Sequence, residues 1–285
     1  MDPNYLLKLP PRIIHHAYAR RDTMLYALGV GAGQENRDDE LRFVYEDGLQ
    51  ALPTMAVVLG YPGYWQKEAH YAIDWRRVLH VEQSVRFHEL LPVEGAVRGE
   101  FTIDQIIDKG AAKGAILYAK RQIYNAVSNS LLATVSQVSY LRGDGGSGGS
   151  TDAKASIPHP IPDRPPDVIE TFVTRPEQAL LYRLSGDYNP VHAHPQVARE
   201  AQLPQPILHG LATYGFAGRA VLRAFCANDP ARLKQLDCRF TAPVIPGDTL
   251  EALLWNEGQG HVAFQIRVPD RGVLAINNGF AELGV

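Results

Sequence analysis

A run of glycine and serine, Gly143-Asp144-Gly145-Gly146-Ser147-Gly148-Gly149-Ser150, cuts the chain near its middle, and a proline-rich stretch from Pro158 to Pro166 follows it. The first has the composition of a segment that bends freely, the second of one that stiffens. The cut matters because the order of elements repeats on either side although the sequences do not. Before it, helical patterns around Arg21 to Leu28 and Leu52 to Leu59 precede four strand-like segments: Val78 to Phe87, Glu94 to Ile106, Gly114 to Asn125 and Ser130 to Leu141. After it come a helical region from Gln178, a turn-rich loop and a helix beginning near Gly210. Four more strand candidates close the chain: Leu233 to Phe240, Thr249 to Asn256, His261 to Val268 and Val273 to Leu283. Phe264, Ile266 and Val268 alternate with Gln265 and Arg267, the period of a half-buried strand. An antiparallel sheet wrapped around a central helix, made twice, is the α+β architecture this order allows. The expected division is residues 1–142, a linker over 143–167, and residues 168–285.

At 285 residues the chain has room for one large domain or two ordinary ones. Its 45% apolar and 21% charged content is that of a folded globular protein rather than a disordered one. A net charge of −3 gives no electrostatic reason to expect nucleic acid as a partner. Cys226 and Cys238 lack CxxC spacing and read as two reduced thiols. Lys8, Pro10, Pro11 and Arg12 interrupt any signal-peptide core, and the apolar window from Ala51 to Leu59 is too short to span a bilayer. Glu282-Leu283-Gly284-Val285 does not match a peroxisomal address. The expectation is a cytoplasmic protein with no membrane partner.

The chemistry is concentrated in Tyr182-Arg183-Leu184-Ser185-Gly186-Asp187-Tyr188-Asn189-Pro190-Val191-His192. Gly186, Asp187, Asn189 and Pro190 are turn residues, and Pro190 stiffens the backbone on both sides of its peptide bond. A stiff loop can aim a carboxylate, an amide and an imidazole at one point, as acid–base work on a small molecule requires. The structural alternative is a turn closed by its own Asx hydrogen bonds. Pro206-Ile207-Leu208-His209-Gly210 follows and runs into a helix rich in small residues: Ala212, Gly215, Ala217, Gly218 and Ala220. Glycine is a poor interior helix former, so its repetition predicts close packing, here by a sheet. The free N–H groups at the start of that helix favour negative charge, so the Gly210 N–H can draw electron density from a carbonyl.

These two segments resemble the signature of the hydratase 2 family, the (R)-specific enoyl-CoA hydratases of the MaoC-like hot-dog superfamily. Tyr18, Arg21-Asp22 and Leu25-Tyr26-Ala27-Leu28-Gly29-Val30-Gly31 are similar to the opening of that family's unit. So are Leu52-Pro53-Thr54, Val78-Leu79-His80, Asp108-Lys109-Gly110 and Arg164-Pro165-Pro166-Asp167, and the resemblance runs from about Tyr18 to Leu283. It implies a double hot-dog, two antiparallel sheets each wrapped around a helix, with the catalytic loop in the second half only. No second D-x-N-P-x-H occurs in the first half, so one active site per chain is expected, with the first half making room for the acyl chain.

The resemblance further implies reversible syn hydration of trans-2-enoyl-CoA to (3R)-3-hydroxyacyl-CoA. Asp187 and His192 become the acid–base pair around one water, Asn189 orients that water or a partner, and the Gly210 N–H polarises the thioester carbonyl. Lys109, His80 with Val81 after it, and Phe240 match positions near the CoA, and Tyr188, Pro190 and Val191 flank the substrate from the loop. No metal or cofactor is implied, and a homodimer is expected by analogy. Lys109 as a solvated loop lysine, and His209 as a helix-start hydrogen bond, remain open readings. The family often has Asp two places after the catalytic His, where this chain has His194, and Val81 stands where Gly is usual. The pair His192-Ala193-His194 with Asp187 admits a metal site as an alternative. Two further functions stay open, an acyl-CoA thioesterase on the same fold and a non-catalytic acyl-CoA-binding subunit. No G-x-S-x-G elbow supports a serine hydrolase.

Overall fold

In the computed structural model, which describes residues 1–35, 37–150 and 155–284, the alternating segments form antiparallel strands. The first half contains α1 (Pro3–Leu7), β1 (Arg12–Tyr18), α2 (Arg20–Gly29), α3 (Leu41–Val44), β2 (Val78–Phe87), β3 (Gly95–Asp108), β4 (Ala115–Asn125) and β5 (Leu131–Leu141). The second contains β6 (Val168–Val173), α4 (Gln178–Tyr182), α5 (Pro195–Glu200), α6 (Gly210–Phe225), β7 (Leu233–Phe240), β8 (Thr249–Gly258), β9 (His261–Val268) and β10 (Val273–Leu283). Period-two patterning does the sorting. On β4, Ala115, Leu117, Ala119, Arg121 and Ile123 are buried while the residues between them are half-exposed. The sequence reading omits β1 and β6. Both are edge strands that bury few side chains, so their alternation is faint.

The fold is the double hot-dog, with its two expected sheets joined edge to edge in the order β1-β3-β4-β5-β2-β7-β10-β9-β8-β6. The seam is the β2–β7 pairing from Glu82↔Arg239 to Arg86↔Gln235. On the inner face lies α6, buried without a break from Ala212 to Leu222. Its glycines admit the first half rather than only the sheet. A Cβ on Gly215 would lie 2.3 Å from Val30 Cγ1, and one on Gly218 2.5 Å from Thr54 Cγ2. The two halves therefore share one core, with Tyr26, Val30 and Leu52 packed in the same cluster as Tyr214, Phe216 and Val221.

The first half does not repeat this helix. The segment expected to be helical from Leu52 to Leu59 is a short 3-10 turn, Pro53–Val57. Pro53 opens it, and Gly60 at φ +57° turns the chain away. Arg121 Nη2 donates to Ala56 O at 3.3 Å and Val57 O at 2.8 Å, carbonyls that a continuing helix would have used itself. The glycine-rich run is also more constrained than its composition suggests. The N–H groups of Gly146 and Gly148 each donate to the Asp108 carboxylate at 2.8 Å, and the Ser150 N–H donates to Ile106 O at 2.8 Å. Residues 151–154 of the expected linker lie outside the described residues.

A buried ion pair ties α6 to the first half. Arg219 Nη2 reaches both Glu40 oxygens at 2.8 Å, and Arg219 Nη1 donates to Val30 O at 2.9 Å. Arg223 Nη2 adds a further bond to Glu40 at 2.9 Å. Burial pushes the Glu40 carboxyl up, but Arg219 and Arg223 outweigh it and hold it below the usual carboxylate range. Removing one partner of such a pair leaves the other charged and buried. Glu40→Gln is therefore expected to cost about 3–5 kcal/mol in urea unfolding, and a loss under 1 kcal/mol, roughly the value of a surface pair, would contradict this.

Candidate active site

The turn-rich loop starts from a fixed point. Gln178 Nε2 donates to Leu28 O at 3.0 Å and Gly29 O at 2.7 Å, so α4 is pinned to the C-terminal carbonyls of α2. A 3-10 turn, Arg183–Ser185, ends at Gly186, whose φ of +120° suits glycine. Asp187 then begins two nested Asx turns. Its Oδ1 accepts the Asn189 N–H at 3.1 Å, and Asn189 Oδ1 accepts the Val191 N–H at 3.3 Å. The local alternative of a self-closed turn is thus realised, and it is what makes the loop rigid. Asn189 spends one lone pair of its carbonyl oxygen on the backbone, and its amide nitrogen makes no hydrogen bond among the described residues.

His192 follows, buried, with Nδ1–H donating to Ile207 O at 2.9 Å. That bond fixes the tautomer and leaves Nε2 with a free lone pair. Burial lowers the His192 pKa against the opposing pull of Asp187, so the ring is held neutral. His209 lies against it, with ring centroids 3.7 Å apart and planes 25° from parallel. The His209 Nε2–H donates to the main-chain carbonyl of Asp187 at 3.1 Å. Burial and the neighbouring His192 take its pKa down to about 2. One residue on, the Gly210 N–H opens α6 with no acceptor among the described residues. His209 thereby links three elements, the acidic loop, the His192 ring and the exposed helix terminus. The sequence marks it only as the neighbour of Gly210.

A carboxylate oxygen of Asp187 and a nitrogen from each of His192 and His209 lie within 4.8 Å of one another. Two imidazoles and a carboxylate are metal-ligand types, but the stacking speaks against a shared ion. A ligand lone pair lies in its ring plane with zinc at about 2.0–2.1 Å. With faces 3.7 Å apart and nearly parallel, an ion in one plane sits well off the other. His194, offered by the sequence as a possible ligand, caps α5 instead, where its Nδ1 accepts the Gln196 N–H at 3.3 Å.

The opposite wall comes from the sheet seam. Val81 is the extra residue of a β-bulge between His80↔Ser139 and Glu82↔Val138. The His80 Nε2–H donates across it to Glu82 O at 3.0 Å. Burial lowers the His80 pKa to about 4. Its ring meets Phe240 edge-on at 4.9 Å, and Phe240 in turn packs over Gly210, where a Cβ would touch the ring at 3.4 Å. The structure therefore brings together Asp187, Asn189, His192, Gly210, His80, Val81 and Phe240. Val191 is half-buried on the loop, and Pro190 is exposed. Tyr188 is 58% exposed, with the Arg183 guanidinium 4.9 Å from its ring. Lys109 is exposed at the β3–β4 turn, next to the cross-sheet row Asp108↔Ala115↔Leu141↔Val78. That is three strand spacings from β2, roughly 14 Å.

The first half supplies a third wall that the sequence reading missed. Tyr61 and Tyr64, in the turn Gly60-Tyr61-Pro62-Gly63-Tyr64, both sense the charge of Asp187. Burial and that charge push Tyr64 up to about 12 and Tyr61 higher. A cavity of about 350 Å³ opens there, lined by Met55, Val58, Leu59 and Tyr61 from the first half and by Leu184, Ser185 and Gly186 from the loop. Two aromatics in a Gly-Pro-Gly turn were the available signal.

The chain matches two family models, the MFE-2 hydratase 2 N-terminal domain over residues 16–143 and the MaoC-like domain over residues 158–278. It is 37% identical over 273 residues to 3-hydroxyacyl-thioester dehydratase Y of Mycobacterium tuberculosis, covering 94% of this chain and 92% of that one. It is 36% identical over 274 residues to peroxisomal multifunctional enzyme type 2 of Mus musculus, but spans only 36% of that longer protein. The crystal structure of a MaoC-like dehydratase from Phytophthora capsici matches with a TM-score of 0.88 at 33% identity, covering 100% of this chain and 99% of the other.

The two buried imidazoles and the half-buried His80 have a direct readout. In an NMR pH titration His192 is expected to have its midpoint below the ordinary 6.5, with His80 neutral down to about 4 and His209 neutral to about 2. A His192 midpoint above 6.5 would contradict the assigned environment.

Proposed function

The chain belongs to the MaoC-like hydratase 2 family of hydro-lyases, and we propose that it catalyses the reversible syn addition of water to trans-2-enoyl-CoA, giving (3R)-3-hydroxyacyl-CoA. One observation carries this reading. The carboxylate of Asp187 and the ring of His192 converge within 4.8 Å beside the N–H that opens α6, which has no acceptor among the described residues. Hydration of an enoyl thioester needs a base for water, a proton for C2 and a donor for the charge that gathers on the thioester oxygen. Asp187 and the neutral His192 Nε2 share the first two tasks around a single water. Its hydroxyl bonds to C3 and its proton goes to C2 on the same face. The Gly210 N–H takes the third, assisted by the partial positive charge of the α6 terminus.

Asn189, fixed by its Asx turn, offers its amide N–H to the water or to a substrate oxygen. His80, Val81 and Phe240 receive the pantetheine end of the ligand, with Tyr188, Pro190 and Val191 along its path and Lys109 reaching a phosphate further out. The first half is non-catalytic. Its helix is reduced to a 3-10 turn, and the cavity beside Tyr61 takes the acyl chain. The reading includes a cytoplasmic homodimer working without metal, flavin or nicotinamide. Among the described residues no helix is long and apolar enough to cross a membrane.

Crotonyl-CoA is the first substrate to test, by loss of enoyl-thioester absorbance with chiral analysis of the product. The R product is expected, and Asp187→Asn or His192→Ala is expected to lower kcat by about 10²–10⁴-fold with folding preserved. Release of free CoA without hydration would instead mean a thioesterase. Tight acyl-CoA binding with no turnover would mean a silent subunit.

A further inference from the structure

The cavity beside Tyr61 carries polar groups that the proposed chemistry does not use. Ile14, His16 and Tyr18 of β1 line it, so an imidazole stands between an aliphatic and an aromatic side chain on the face that the strand turns inward. Most of the other polar liners are committed or closed off. The Tyr18 hydroxyl donates to Pro92 O at 2.7 Å, and the Asp22 carboxylate accepts the Ala19 N–H at 2.9 Å. The Tyr26 hydroxyl and Ser185 Oγ are sealed from solvent. His16 and Tyr61, both half-buried, differ. Neither the Tyr61 hydroxyl nor His16 Nε2 has a hydrogen-bond partner among the described residues, and neither atom is sealed.

One turn holds both side chains. The Gly60 N–H donates to His16 Nδ1 at 3.1 Å, and Tyr61 is the next residue. Gly60 turns at φ +57° and Gly63 at φ +72°. A Cβ on Gly99 would lie 2.6 Å from Gly60 O, and Gly99 pairs with Ile14 of β1. The turn is therefore clamped between the strand that carries His16 and the strand next to it. The bond to Nδ1 also settles the tautomer. Burial lowers the His16 pKa against the pull of Asp22, so the ring is neutral and its proton sits on Nε2. His16 Nε2–H can then only donate, while the Tyr61 hydroxyl donates or accepts.

An alkyl chain that fills this end of the cavity strips water from both groups and returns no hydrogen bond, which costs about as much as a bond lost at each. A chain that brings an oxygen there replaces the water. A neutral oxygen fits better than an anion, because among the described residues no lysine or arginine lines the cavity and the Asp22 carboxylate does. We propose that the cavity accepts acyl chains bearing a neutral oxygen, a ketone or a hydroxyl, on a carbon remote from the thioester, with the Tyr61 hydroxyl and His16 Nε2–H as its hydrogen-bond donors. The substrate class is then an oxygenated 2-enoyl-CoA, which rests on the enoyl-CoA reading for the head of the molecule. The apolar stretch of the chain lies against Met55, Val58 and Leu59.

The test is a set of medium-length trans-2-enoyl-CoAs in which a ketone or a hydroxyl is moved carbon by carbon along the distal half of the chain. Each is compared with the unsubstituted parent. At the position that meets the two donors, the oxygenated form is expected to exceed its parent in kcat/KM by about tenfold, mainly through KM. Tyr61→Phe removes only the hydroxyl, and His16→Asn keeps an acceptor for the Gly60 N–H while removing Nε2. Each is expected to lower the ratio of oxygenated to parent substrate. Wild-type protein that prefers the parent at every position would overturn the proposal, as would a ratio unchanged in both variants. A terminal carboxylate preferred to every neutral oxygen would overturn it as well. If neither variant folds, the wild-type series decides alone. If crotonyl-CoA is not hydrated, the hydratase reading fails separately, and calorimetry with the corresponding saturated acyl-CoA pairs still decides. Tighter binding of an oxygenated member supports the site, and equal binding throughout refutes it.

Discussion

The ion pair between Glu40 and Arg219 fixes α6 against the first half, and α6 is the element to which the candidate site is referred. Its first residue, Gly210, carries an N–H with no acceptor among the described residues, and the preceding residue, His209, bonds the Asp187 backbone and stacks on His192. A shift of α6 along its axis would move that N–H relative to both Asp187 and His192. Gly215 and Gly218 press the same helix against Val30 and Thr54, closely enough that a single Cβ would force the halves apart. The geometry of the chemistry is thus held by buried contacts distant from the reacting atoms, the arrangement that preorganised sites require.

The two halves of the sheet diverge where function would ask them to. The second half keeps a long central helix and sets its terminus beside the rigid loop that carries Asp187 and His192. The first replaces the helix with Pro53–Val57 and a glycine turn, leaving space that Tyr61, Met55 and Leu59 line. Space gained this way leaves backbone carbonyls to satisfy, and Arg121 satisfies two of them. The asymmetry leaves a cavity lined from both halves.

Local chemistry made the turn-rich loop legible in the sequence. Gly186, the Asx turns of Asp187 and Asn189, and Pro190 act within a few residues of one another, so their geometry follows from their order. The central strands were legible for the same reason, through alternation. Edge strands β1 and β6 were not, because half of that signal is lost to solvent. Nor was the joining of the sheets at β2–β7, a pairing more than a hundred residues apart along the chain. The roles of His209, Tyr61, Tyr64 and Arg121 come from tertiary contacts that no short window contains. Lys109, read from its match to a family position, lies exposed at the far side of the same sheet end, where strand register rather than sequence spacing decides what it can reach.

The most direct measurement is a crystal structure with a bound (3R)-3-hydroxyacyl-CoA. The account predicts the thioester oxygen about 3 Å from the Gly210 nitrogen, and the 3-hydroxyl held between the Asp187 carboxylate and His192 Nε2. A thioester bound away from the start of α6, or a hydroxyl that meets neither side chain, would contradict it.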